Sequence, residues 1–185
     1  GTAVGIADAL IKKGILSAVT LEVGRLRDNG SRREPLRQLS ESQIVTFDTI
    51  RNSFREKDIV LLYGVTSSGK TEIYIHLIEE QLKKGKQVLY MLPEIALTTQ
   101  IILRLQKHFG PVTGVYHSRF NDQERVEIWK RVADTDPGKG YRLILGVRSS
   151  LFLPFSDLGL VIIDEEHDTS YKQHDPAPRY HARDS

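Results

Sequence analysis

At 185 residues, 39% of them hydrophobic and 27% charged, the chain is long enough for one full core and a small appendage but not for two complete domains. Its net charge of +2 excludes a uniformly basic surface, so contact with an anionic partner has to come from locally placed Lys and Arg. The absence of cysteine excludes disulfides and cysteine-ligated zinc in this stretch, no apolar run reaches the ~18 residues of a membrane span, and no secretory leader pattern opens the chain.

In chain order, the first pattern is a short helix over Ala3 to Lys13, closed by Gly14, followed by a strand-like run over Ala18 to Val23. The stretch Arg25 to Gln38 is charged and turn-rich, with Asn29-Gly30 and Pro35, and reads as a linker. A boundary is therefore expected near residue 38. Residues 1–38 would be the remnant of a preceding domain plus linker, and 39–185 a domain of their own. Ser40 and Gln43 form an S-x-x-Q capping box for a helix over Glu41 to Phe54.

From there strands and helices alternate. Strand-like runs are predicted at Ile59 to Tyr63, Gln87 to Leu92, Val112 to Tyr116, Arg142 to Val147 and Leu158 to Ile163. Helices are predicted at Lys70 to Lys84, Ile95 to Phe109 and Asp122 to Val132. The second of these carries Ile101, Ile102, Leu105 and Phe109 on one face; the third is capped by Asn121 and Glu124. The alternation implies an α/β fold, a mostly parallel sheet with helices on both faces, whose ligand site lies beyond the carboxyl ends of the strands.

The first predicted strand runs into Gly64-Val65-Thr66-Ser67-Ser68-Gly69-Lys70-Thr71, a G-x-x-x-x-G-K-T phosphate loop between a strand and a helix. Glycines let successive N–H groups turn inward on phosphates, Lys70 adds a point charge, and the Thr71 hydroxyl is suited to Mg²⁺. The last predicted strand ends in Asp164-Glu165-Glu166-His167. Asp164 is placed to hold the metal, and Glu165 to orient and deprotonate a water. ATP and Mg²⁺ are the expected ligands.

Asp-Glu-Glu-His after such a loop resembles the superfamily 2 helicases, and this variant is similar to the PriA replication-restart helicases. The resemblance runs from about Leu39 to Asp184 and implies a RecA-like P-loop motor lobe. It also implies roles for further residues. Gln43 reads adenine, with the capping box as the alternative use of the same side chain. Pro93, Glu94 and Thr98 contact the tracked DNA strand, as do Arg148, Ser149 and Ser150. His167 couples the nucleotide site to the DNA-facing parts. The segment from Asp168 to Asp184 is similar to an aromatic, basic loop of that family, in which Tyr171 and Tyr180 stack on bases while Lys172, Arg179 and Arg183 meet phosphates. Residues 7–27 look like the end of a winged-helix domain. Val147 and Ser150 stand where Thr and Ala are common in the family pattern.

The resemblance implies an ATP-dependent, 3′-to-5′ DNA helicase that restarts stalled forks and assembles the primosome in the cytoplasm. Its partners would be single-stranded and branched fork DNA, single-stranded-DNA-binding protein and other primosome proteins, with no membrane. The family's second motor lobe and its zinc-binding insertion have no counterpart in these residues, so slow turnover is expected of this stretch alone. Competing readings are another superfamily 2 translocase, a P-loop small-molecule kinase, and a nucleotide- and DNA-binding module without turnover. The aromatic, basic loop argues against the first, and Asp-Glu-Glu-His against the kinase. An ATPase assay with and without single-stranded DNA separates an enzyme from the module.

Overall fold

The structure is a computed structural model that describes residues 33–65, 68–136, 138–173 and 179–182. The predicted helix and strand before residue 24, and all of the predicted first domain up to residue 32, lie outside these. The described elements run in the order α1 (Glu41–Ser53), α2 (Lys70–Lys83), β1 (Gln87–Met91), α3 (Thr99–Phe109), β2 (Thr113–Tyr116), α4 (Asp122–Ala133), β3 (Leu143–Gly146) and β4 (Leu158–Ile163).

The four strands form one parallel sheet in the order β2-β3-β1-β4. Period-2 alternation along β1 feeds both faces. Val88 and Tyr90 join Tyr74, Ile75 and Ile78 of α2 with Ile102, Leu105 and Phe109 of α3. Leu89 and Met91 join Ile128 and Val132 of α4 on the other side. Because both faces are covered, β1 and β3 are buried at every position, which is why, apart from Gln87, their sequences are apolar.

The helices begin where their caps demand. Ser40 and Gln43 form the expected reciprocal box on α1, and Asn121 and Glu124 do so on α4. The second predicted helix starts late, at Thr99, because Pro93 to Thr98 is held in turns: the Pro93 carbonyl accepts from Ala96 N at 2.9 Å and Leu97 N at 3.1 Å. The predicted linker is not detached where it is described. Glu34 N donates to the Lys107 carbonyl at 2.9 Å, His76 Nε2 bonds the Arg37 carbonyl at 2.9 Å, and Leu36 packs against the core.

One predicted strand is not formed. Residues 59–63 form no regular element, with Val60 and Leu62 packed inward and Ile59, Leu61 and Tyr63 exposed, and they pair with no strand of the sheet. The local alternation is strand-like, but a ladder needs a neighbour within ~4.8 Å. Here a cleft, lined by 59–65 on one wall and β4 on the other, lies between them.

At the amino end of the sheet, buried Gln87 acts as a staple. Its Nε2 donates to the Val132 and Tyr141 carbonyls at 2.8 and 3.0 Å, and its Oε1 accepts from Ser156 N at 2.8 Å and Asp157 N at 3.2 Å. No described helix is long and apolar enough to cross a membrane.

Candidate nucleotide site and neighbouring loops

The cleft has a volume of about 2070 Å³, larger than a typical small-ligand pocket of ~300–1,000 Å³ because it extends along the whole of β4. At its carboxyl end it brings together Gly64, Gly69, Lys70 and Thr71 from the loop and Asp164 and Glu165 from the end of β4.

Gly69 is the N-cap of α2 at φ 84°, and among the described residues no side chain caps the first turn of that helix. Its leading N–H groups are thus open to an anion, in line with the helix dipole. The left-handed φ requires glycine, and a Cβ there would lie 2.5 Å from Gln43 Nε2. Lys70 curls its ammonium onto the Gly64 carbonyl and reaches the Val65 carbonyl at 3.4 Å. Ser68 N closes a turn on Val65 O at 3.2 Å. Thr66 and Ser67 lie outside the described residues. Gln43 serves both of its sequence readings' neighbourhoods: its Oε1 accepts from Ser40 N at 2.9 Å while its Nε2 donates to the Gly69 carbonyl at 3.2 Å. The cap is formed, and the same amide touches the phosphate loop.

Asp164 is held firmly. Its Oδ2 accepts the Tyr90 hydroxyl at 2.9 Å, its Oδ1 accepts Glu165 N at 3.1 Å, and its carbonyl accepts the Tyr171 hydroxyl at 2.7 Å. Burial pushes the phenols of Tyr74, Tyr90 and Tyr171 up, with the Asp164 charge adding to it; Tyr74 reaches about 12. Glu165 sits at φ 49°, the one described non-glycine residue in the left-handed region, next to the expected metal ligand. The hydrogen bonds from Ser170 hold Asp168 below the usual carboxylate range. Among the described residues, no group of three or more His, Asp or Glu gathers to hold a metal by itself. A cation between Thr71 and Asp164 would therefore be completed by phosphate and water oxygens, the habit of Mg²⁺ on a nucleotide. The donor set fits that group.

On the loop side, Glu94, Thr98, Lys172 and Arg179 are exposed, and Ser149 and Tyr180 partly so. Three of the residues expected to contact DNA have buried side chains. Tyr171 is fully buried, so it offers no face to a base; its ring sits in the core and its hydroxyl holds the Asp164 carbonyl. Ser150 is also fully buried. Its hydroxyl donates to the Val147 carbonyl, and it lies where a Cβ on Gly146 would have to go. Pro93 is buried, its carbonyl closing the turn after β1. Arg148 turns its Nη1 onto the Lys172 and Ser170 carbonyls at 2.7 and 3.3 Å, with its guanidinium 5.8 Å from the Tyr180 ring centre. His167 is exposed beside Asp168. Residues 174–178 and Arg183 lie outside the described residues.

Tyr90, which holds Asp164, and His117, at the far edge of the sheet, escaped the sequence reading. Tyr90 sits inside an apolar run, where periodicity marks it only as core. His117, at the end of β2, stacks on Phe120 with ring centres 3.9 Å apart. Burial and then Arg119 lower its pKa, against opposing pulls from Glu124 and Glu94. The signal that was available is position: both lie toward the carboxyl ends of parallel strands.

The profile of the DEAD/DEAH box helicases matches residues 31–184. The chain is 42% identical over 180 residues to the replication restart protein PriA of Bacillus subtilis, a match covering 95% of this chain and 22% of that protein. To the Haemophilus influenzae protein of the same name it is 41% identical over 188 residues, covering 97% of this chain and 25% of the relative. To that of Rickettsia felis it is 47% identical over 150 residues, with 81% and 22% covered. The chain thus spans about a quarter of the length of these relatives.

Proposed function

This chain belongs to the DEAD/DEAH box helicase family, and from that membership we propose that it is the nucleotide-binding motor lobe of an ATP-dependent DNA helicase acting in replication restart. One observation carries the reading: Lys70 and Thr71 from the start of α2 and Asp164 and Glu165 from the end of β4 face one cleft. In this reading the loop Gly64 to Thr71 cradles phosphates with its N–H groups, and Lys70 leaves its carbonyl partners to meet the γ-phosphate. Thr71 and Asp164 hold Mg²⁺, which when bound neutralises charge on the phosphates. Glu165 orients and deprotonates the attacking water. Gln43, already against Gly69, reads adenine with its second amide N–H.

The DNA strand crosses the carboxyl edge of the sheet, over Glu94, Thr98 and Ser149, toward Lys172, Arg179, Tyr180 and Arg183. Pro93, Ser150 and Tyr171 shape these loops from within, and Arg148 pins the last of them. His167 lies between the nucleotide and DNA sides as the coupling residue. The names of the relatives, replication restart proteins, support a role in replication restart. To the whole protein we ascribe 3′-to-5′ movement on single-stranded and branched DNA, cytoplasmic action with single-stranded-DNA-binding protein and primosome proteins, a zinc-binding insertion and a second motor lobe. Arginines from that lobe contribute ~10³–10⁵ in rate in related phosphoryl transfer.

The test is ATP hydrolysis by this chain with and without single-stranded DNA. Bound ATP with very slow turnover is expected. Brisk DNA-stimulated turnover by this chain alone contradicts the need for a second lobe, and failure to bind ATP contradicts the nucleotide role.

A further inference from the structure

The hydroxyl of Tyr90 has no packing reason to exist. Tyr90 lies on β1, the second strand in from the β4 edge, with no solvent exposure, its ring in the apolar core and edge-on to Tyr74 at 5.7 Å. Phenylalanine would fill that space equally well. The hydroxyl goes to Asp164 Oδ2 at 2.9 Å, at the end of the neighbouring strand; Tyr90 is in register with Ile162, and Asp164, two residues on and the first beyond β4, still continues the ladder through its N–H to the Met91 carbonyl at 3.0 Å. Residues two apart on a strand share a face, so the pairing itself delivers the hydroxyl to the carboxylate.

Oδ1 is meanwhile held by Glu165 N at 3.1 Å, the N–H of the next residue in the chain. Each carboxylate oxygen has about two acceptor sites. One donor on each leaves one site per oxygen for the cleft and stops the carboxylate from rotating. The two donors differ in kind: Glu165 N rides on an exposed turn, whereas the Tyr90 hydroxyl is fixed to the buried interior of the sheet.

We propose that Tyr90 is a positioning residue for Asp164, its buried hydroxyl setting the rotation of the carboxylate that receives the nucleotide-bound divalent cation. This rests on the reading of Asp164 as the cation-holding carboxylate. The effect is selective: binding of nucleotide without metal does not depend on Tyr90, and the gain in affinity that Mg²⁺ provides does.

The experiment titrates a fluorescent ATP analogue into this chain with Mg²⁺ and with EDTA; the ratio of the two affinities measures the metal's contribution. Tyr90→Phe is expected to keep the EDTA affinity and to lower the ratio about ten-fold, the scale of one hydrogen bond to a charged group. Asp164→Ala is expected to bring the ratio close to one, and Tyr74→Phe, which removes a neighbouring phenol hydroxyl, to leave it unchanged. If Asp164→Ala has no effect on the ratio, the metal reading of Asp164 fails and this inference with it. If Asp164→Ala collapses the ratio but Tyr90→Phe leaves it intact, the positioning role alone is wrong and the hydroxyl is only a satisfied core group. A Tyr90→Phe variant that weakens both affinities equally also overturns it, since that is general distortion. Should Tyr90→Phe fail to fold, 3-fluorotyrosine placed at position 90 keeps the hydroxyl. Its ¹⁹F resonance is then expected to move on addition of Mg²⁺ with nucleotide and not with nucleotide in EDTA; an unmoved resonance contradicts the proposal.

Discussion

The glycine loop before α2 and the described residues 168–173 and 179–182 lie at the same end of the sheet, but they present their chemistry in opposite ways. The loop offers backbone: a helix start without a side-chain cap, a left-handed Gly69, and Lys70 bonded to carbonyls of its own loop. The Asp168 segment turns its most conspicuous aromatic inward, so that Tyr171 braces Asp164 and Arg148 braces the carbonyls on either side of Tyr171. Binding groups carried by backbone N–H are fixed by glycine spacing and survive any side-chain arrangement. Groups carried by side chains depend on where a loop folds back. The lesson is that an aromatic in a basic loop is as able to be a strut as a stacking surface, and burial decides which.

Substitutions that separate strut from surface sharpen this contrast. The largest effect is expected from Tyr171→Ala, which removes a fully buried ring and its bond to Asp164. It is expected to lower stability by about 3–5 kcal/mol in chemical denaturation. A stability loss below ~1 kcal/mol would mean that the ring is a surface group after all. Tyr180→Ala, at a partly exposed position, is expected to cost far less stability and to weaken single-stranded DNA binding instead. Gly69→Ala comes next. The left-handed φ costs about 1–2 kcal/mol, and the clash with Gln43 is expected to show as lost nucleotide affinity as well. Ser150→Ala is smaller, about 1 kcal/mol from its bond to Val147, with DNA affinity unchanged. A matching loss of DNA affinity would restore it to the binding surface.

The smallest effect near neutrality comes from the tyrosines around Asp164. Their folded pKa values are raised above the ordinary value near 10, so the folded state holds protons that the unfolded state releases as the pH rises past that value. Their contribution is full below pH ~10 and declines above it, through about 12 for Tyr74. Denaturation midpoints should be flat with respect to these groups up to pH ~9 and fall beyond it, less so in Tyr90→Phe.

The sheet was legible from sequence because burial on both faces writes itself as unbroken apolar runs such as Val88 to Leu92, and because caps such as Asn121 and Glu124 are local. That Gly64 to Thr71 and the acidic end of β4 belong together could be proposed for a similar reason, since each is a contiguous motif, and the fold brings both to one cleft. What was not legible depends on partners distant in the chain. Residues 59–63 alternate like a strand, but pairing requires a neighbour that local pattern does not reveal. Tyr171 reads as an exposed loop aromatic until Asp164 and Ala182 close around it. Tyr90 reads as core, and its hydroxyl matters only because β4 lies beside β1 in register.

The central claim is that Gly64 to Thr71 and the end of β4 build one Mg²⁺–nucleotide site. Titration calorimetry of ATP with Mg²⁺ into this chain, repeated with Lys70→Ala, tests it most directly. The account predicts saturable binding that Lys70→Ala reduces by about 100-fold or more, the scale of a lost charge-assisted contact. Binding of equal strength in both would contradict it, because the nucleotide would then be held somewhere other than this loop.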